Sequence, residues 1–264
     1  MSTADPIIAA LRTGHDDLQA IVVELSDDDL ARPSAASEWE IAQVLSHLGS
    51  GAEINRATLE AALGRREVPG ADFNPSVWDR WNAMSPREQA DGFVAASSEL
   101  TELYESIDDA TRETMRIEMG FLPAPVDLAT AGRLRLNELT LHAWDVRVGL
   151  GEGDNTLPAD AADALLHGAP NMLAWISKPD QLDGQRAVIR VLTTGTESEF
   201  SLTLDAPVSI DFEVPGEVDG TLSLPAEAWL RLVAGRLPQE RTPAEVTATG
   251  AADLDLLRRV FPGY

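Results

Sequence analysis

A chain of 264 residues with 44% hydrophobic content and a formal charge of −24 has room for two domains of ordinary size and is strongly anionic. That charge repels phosphate backbones and anionic bilayers, which argues against nucleic-acid and membrane partners, and no apolar run reaches the length needed to span a membrane. Cysteine is absent, so disulfides, thiolate ligands and a cysteine nucleophile are excluded, and any sulfur chemistry requires a thiol from outside.

The start, Met1-Ser2-Thr3-Ala4-Asp5-Pro6, lacks the basic residues and apolar core of a signal peptide, so a cytoplasmic location is expected. Asp5-Pro6 caps a first helix, along which Ile7, Ile8, Leu11, Leu18, Ile21, Val22 and Leu25 recur with helical spacing. His15 lies among them as a hydrogen-bonded core histidine or a ligand. Ser26 to Ala36, acidic and holding Pro33, reads as a connection. Ser37 and Glu40 form a capping-box pattern that predicts the start of a second helix.

That second helix carries Ile41, Val44, Leu45, Leu48 and Ile54, with His47 beside the apolar stripe. Gly49 and Gly51 inside it each cost about 1 kcal/mol against alanine, which points to close approach of another backbone or of a ligand. Trp78 and Trp81 begin a short helical pattern that stops near Ser85-Pro86. Ser85 and Glu88 then cap a third long helix bearing Phe93, Val94, Leu100, Leu103 and Ile107. Thr111 to Pro125, broken by Gly120 and two prolines, is expected to be a partly irregular crossover.

The next helix holds Glu138, His142 and Asp145 at spacings of four and three residues, which put all three on one face. Gly149 and Gly151 supply a stop. On spacing alone Glu138 and His142 are either a solvated pair or two ligands pointing inward. Four long helices by residue 150 make a bundle, and bundles build metal sites from facing helices, where His47, Glu138 and His142 would meet. Two imidazoles and one carboxylate with an open position are the pattern of catalytic zinc, and do not exclude nickel, cobalt or manganese.

Residues 151–158 form a polar linker, dividing a helical bundle of residues 1–150 from a second domain of residues 151–264. A helix around Leu165 to Trp175 is broken near Gly168-Ala169-Pro170, beside His167. From Arg186 the period becomes alternating. Strands are expected at 187–192, 200–204, 208–214 and 221–224, a helix from Pro225 to Gly235, a further strand at 245–249 and a last helix at 252–260. The pattern is that of a smaller α+β domain with a mostly antiparallel, half-exposed sheet. No phosphate loop, serine-nucleophile elbow or nucleotide fingerprint occurs.

Two stretches carry a family resemblance: Ser37 to Leu48, with Trp39 eight residues before His47, and Asn137 to Asp145, with its Glu-x-x-x-His-x-x-Asp pattern. They resemble the mycothiol-dependent maleylpyruvate isomerase family within the DinB-like metal-binding bundles. The Phe73-Asn74 loop, the order of helices and a sterol-carrier-like C-terminal domain are similar as well. The resemblance implies a four-helix bundle in which His47, Glu138 and His142 hold a divalent metal, usually zinc. Asp145 would orient an imidazole through its other nitrogen. It also implies mycothiol, a sugar-linked cysteine thiol, as cosubstrate, and a small electrophile resembling maleylpyruvate as substrate.

The reaction would be isomerisation, in which the thiolate adds to a cis double bond, allows rotation and leaves, or S-transfer, in which it stays. The other class is a non-catalytic binding module in which the metal stiffens the bundle and the second domain takes an apolar ligand or a protein partner. Arg236, in a Gly-Arg pair that looks like an arginine position of the family's C-terminal domain, is the candidate to grip a substrate carboxylate across a domain interface, with Arg231 next. Its alternative role is to compensate a helix C-terminus.

Overall fold

The computed structural model describes residues 2–151, 156–167 and 172–263. The chain divides into two compact units, Met1–Asn155 and Thr156–Tyr264. The residues 152–155 of the expected linker, and the Gly168-Ala169-Pro170 break, lie outside the described residues. Among the described residues no helix is long and apolar enough to cross a membrane.

The first unit is helical: α1 (Asp5–Val22), the single turn α2 (Asp27–Leu30), α3 (Ile41–Ala62), α4 (Phe73–Asn82), α5 (Pro86–Glu105), the short α6 (Asp109–Thr114) and α7 (Leu128–Leu150). The long helices α1, α3, α5 and α7 form the bundle, with α3 against α5 and α7, and α1 against α5 and α7. Apolar side chains at helical spacing drive this arrangement. Leu11, Leu18, Leu45, Leu48, Phe93, Leu136 and Leu139 are essentially removed from solvent, and each such burial contributes about 1.5–3 kcal/mol.

Caps set the helix ends, not always where the sequence suggests. Ser85 and Glu88 do start α5: the Ser85 hydroxyl accepts from Glu88 N, and the Glu88 carboxylate accepts from Ser85 N. Ser37 does not start α3. Glu38 adopts a left-handed conformation with φ 69°, which turns the chain away, and the helix is capped instead at Glu40, whose N–H donates to the Gln43 side chain at 2.8 Å. The expected connection at 26–36 contains a capping box of its own, Ser26 with Asp29, which opens α2. At its other end the bundle closes with Gly151 at φ 75°, the left-handed cap of α7.

The glycines of α3 meet side chains rather than another backbone. A Cβ on Gly49 would lie 2.2 Å from the Trp81 indole, and one on Gly51 would lie 3.3 Å from the Arg135 guanidinium. Gly49 thus lets the Trp81 side chain of α4 approach α3 closely.

The second unit contains α8 (Ala159–Leu166), α9 (Met172–Ile176), β1 (Ala187–Thr194), β2 (Ser198–Leu204), β3 (Ser209–Asp211), β4 (Gly220–Pro225), α10 (Ala226–Val233), β5 (Thr247–Gly250) and α11 (Leu254–Val260). The five-stranded sheet has the order β3-β2-β1-β4-β5, all pairs antiparallel except β1 with β4. Its covered face packs Ile189, Val191, Phe200, Leu202, Leu222 and Leu224 against Trp229 and Leu257, with the Phe200 and Trp229 rings 5.1 Å apart. The third strand is shorter than the alternation at 208–214 suggests. The Asp211 carboxylate accepts from Glu213 N at 2.8 Å, a local turn that competes with the ladder.

Candidate metal centre

The site grows from two facing helices of the first unit. His47 projects from α3; Glu138 and His142, one turn apart, project from α7. One ligand atom from each of the three lies within 4.8 Å of the others. His47 Nε2 is 2.9 Å from Glu138 Oε2, and His142 Nε2 is 3.7 Å from that same oxygen. The imidazole centroids are 4.8 Å apart at 70°. The side chains of His47 and Glu138 remain 39% and 33% exposed, so the cluster is open to solvent on one side.

Asp145 stands behind the cluster. It is fully buried, and its carboxylate accepts from Nδ1 of His142 at 2.9 Å. That bond holds a proton on Nδ1 of His142 and turns Nε2 toward Glu138. Burial pushes Glu138 up, but the His47 hydrogen bond and the charges of His142, His47 and Arg135 outweigh it and hold the carboxyl below its ordinary range.

Arg135, one turn before Glu138, is a partner that spacing alone did not single out. Its buried guanidinium donates to the Leu48 carbonyl at 3.0 Å, tying α7 to α3 at the residue after His47. Burial pushes it down to about 10, against the pull of Glu138 and Tyr104. Around it the Tyr104 hydroxyl and Nδ1 of His15 are buried without hydrogen-bond partners among the described residues. His15 is therefore a core histidine of α1, outside the cluster that holds His47 and His142.

The loop before α3 supplies the flank of the site. Pro33 and Glu40 pair as an isolated bridge, and Ser34 donates through N and Oγ to the Trp39 carbonyl at 2.9 and 2.8 Å. Ala35 N donates to the backbone carbonyl of Asp145 at 3.1 Å. Gly149 lets the loop approach α7, since a Cβ there would lie 2.6 Å from Pro33 O. The result puts the Trp39 ring 5.2 Å from that of His47 and 6.0 Å from that of His142, near-parallel to the latter at 25°.

Arg231 and Arg236 of the second unit each bond to neighbours close along the chain. Arg231 is buried, with a two-pronged bond to Glu227 at 2.7 and 2.8 Å and a third bond to Arg241 O. Arg236 is buried too; it follows Gly235, at φ 70°, and its Nη1 donates to Ala234 O at 3.0 Å, at the end of α10. His167 Nε2 lies 3.4 Å from Ser198 Oγ and its ring stacks on Phe212.

The donor set suits a divalent cation: two imidazoles, one of them fixed in tautomer, and an ionised carboxylate, with an open side. A family model described as mycothiol maleylpyruvate isomerase N-terminal domain matches residues 11–147. The uncharacterized protein Rv0738 of Mycobacterium tuberculosis (strain ATCC 25618 / H37Rv) is 25% identical over 166 residues, 61% of this chain and 76% of its own. Rv0036c, also uncharacterized and from the same strain, is 27% identical over 157 residues, 57% of this chain and 59% of its own. A crystal structure of the mycothiol-dependent maleylpyruvate isomerase superposes with a TM-score of 0.61 at 14% identity, over 94% of this chain and 93% of that one, a likeness of fold. The H52A mutant of that isomerase gives 0.60 at 13% identity, with the same coverage.

Proposed function

The chain belongs to the mycothiol maleylpyruvate isomerase N-terminal domain family, and on that premise we propose that it is a metal-dependent, mycothiol-dependent isomerase or S-transferase acting on a small electrophile resembling maleylpyruvate. The observation that carries the reading is the meeting of His47, Glu138 and His142 on one open face between α3 and α7. Those three would hold the cation, zinc by preference, in place of the present His47–Glu138 hydrogen bond. A bound divalent metal lowers the pKa of a coordinated thiol from its free value near 8.5, so that the thiolate is available at neutral pH.

The chain's own groups prepare that chemistry. Asp145 keeps the proton of His142 on Nδ1. Arg135 fixes the rise of α7 against α3 at the ligand pair, and the open side admits the thiol and the electrophile together. With no cysteine in the chain, the sulfur comes from mycothiol. In isomerisation its sulfur bonds to one carbon of the activated cis double bond, the remaining single bond rotates, and the carbon–sulfur bond breaks as the trans double bond forms. In S-transfer the carbon–sulfur bond remains and the adjacent carbon takes a proton. Arg236 is the residue assigned to the carboxylate of the electrophile. The cytoplasm, where low-molecular-weight thiols are kept reduced, is the fitting compartment.

A thiol-consumption and product assay with mycothiol and a panel of electrophiles, with and without chelator, tests the reading. Turnover that needs both mycothiol and metal is expected. Undiminished turnover in preparations free of small thiols would replace it with metal-assisted hydrolysis.

A further inference from the structure

Trp39 is a tryptophan that the bundle core does not use. It is 36% exposed, although its ring lies within 6.0 Å of both candidate imidazole ligands. Its position is enforced: Glu38 takes a left-handed backbone conformation just before it, an arrangement uncommon for a non-glycine residue. Ser34 doubly bonds its carbonyl, and Ala35 moors the loop to Asp145. Its indole N–H has no protein partner among the described residues. A strained, anchored loop that holds a large aromatic surface against an open ligand cluster is built to meet a bound molecule rather than to fill a core.

Resting on the mycothiol reading above, we propose that Trp39 is the wall on which the sugar of the thiol cosubstrate packs. An indole face carries negative quadrupole charge. It therefore complements the polarised C–H groups of a pyranose ring and repels the carboxylates of a conjugated acid, which assigns it to the thiol and not to the electrophile. The Trp39 ring stands 5.2 and 6.0 Å from the two imidazoles, and a single cysteine residue links the thiol sulfur to its sugar, so a thiol directed at the imidazoles carries its sugar close to this wall. The free indole N–H offers a donor for a sugar hydroxyl.

Calorimetric titration of the zinc-loaded protein with mycothiol and with N-acetylcysteine, which lacks the sugar, tests this. Trp39→Ala is expected to weaken mycothiol binding about tenfold and to leave N-acetylcysteine binding within about twofold. Trp39→Phe, which keeps a smaller ring, falls between. Unchanged mycothiol affinity in both variants, or equal losses for the two thiols, overturns the assignment. Trp39-dependent binding of mycothiol without turnover of any electrophile would sink the isomerase reading and leave the sugar wall standing. Turnover with a mycothiol affinity indifferent to Trp39 would do the reverse, and absence of mycothiol binding by the wild type would overturn both.

Discussion

The carboxylate of Asp145 lies 2.9 Å from Nδ1 of His142 and is itself wholly removed from solvent, so the orientation of one candidate ligand is set from inside the protein. Removing such a partner lowers metal affinity by about 10–100-fold. Asp145→Ala should do so in a competition titration against a chelator while His47 and Glu138 stay in place. An affinity equal to that of the wild type would reduce the pair to a packing contact.

Removing the metal should leave the bundle standing, because its long helices bury many aliphatic and aromatic side chains other than the ligands. Chelated protein is expected to keep its helical circular dichroism and lose turnover. Its unfolding free energy should fall only by the binding linkage, about 2.7 kcal/mol at a free metal concentration one hundred times Kd. Loss of helicity with the metal would make the site structural. His47→Ala, Glu138→Ala and His142→Ala should each lower metal content below the expected one ion per chain.

His15 makes stability depend on pH. Burial is the largest influence on it and pushes its pKa below the ordinary 6.5, with Arg12 and Arg135 adding to the effect and Asp16 opposing it. The unfolded chain therefore binds a proton that the folded chain refuses. The contribution of this group is complete above about pH 6.5 and is lost as pH falls from there toward the depressed folded value. Urea midpoints measured between pH 7.5 and 5 should show this slope, and His15→Leu should flatten it. Parallel curves for the two proteins would remove His15 as the cause.

Gly149→Ala tests the seating of the loop that carries Trp39. A methyl group there meets Pro33 O at 2.6 Å and Ser34 Cα at 2.9 Å, both backbone atoms. Overpacking of this kind destabilises by about 1–3 kcal/mol. Gly70→Ala, with nothing within 4 Å, is the control and should stay within about 0.5 kcal/mol. Equal urea midpoints for the two variants would show that the loop yields freely.

Arg236→Ala separates a helix-end role from a substrate role. Its bond to Ala234 O predicts a lower melting temperature in either case. The substrate role predicts, in addition, unchanged metal content and a kcat/KM at least about tenfold lower below the melting range, or 1.4 kcal/mol. Wild-type kinetics on a verified substrate would leave Arg236 a cap of α10.

The long helices and the Glu138–His142 pair were legible because both depend on local spacing, and the Ser85 cap and the glycine ends of α7 and α10 were legible for the same reason; the short α2 and α6 were not. What sequence could not show is decided by contacts distant along the chain. Gly49 gives way to Trp81, Arg135 reaches the Leu48 carbonyl, and Ala35 is bonded to Asp145, none of which leaves a local pattern. Ser37 misled because a cap depends on the φ of the next residue. The left-handed turn at Glu38 moved the start of α3 to Glu40.

The sheet of the second unit ends on strands of three and four residues, β3 and β5. Asp211 and Glu213 stand on and beside β3, Pro207 precedes it, and the other edge stops at Gly250 in a left-handed turn. Short, charged and interrupted edges offer a neighbouring chain little backbone to pair with. Together with a charge of −24, they should keep the protein from joining edge to edge at high concentration, where a longer, flatter margin would seed aggregates.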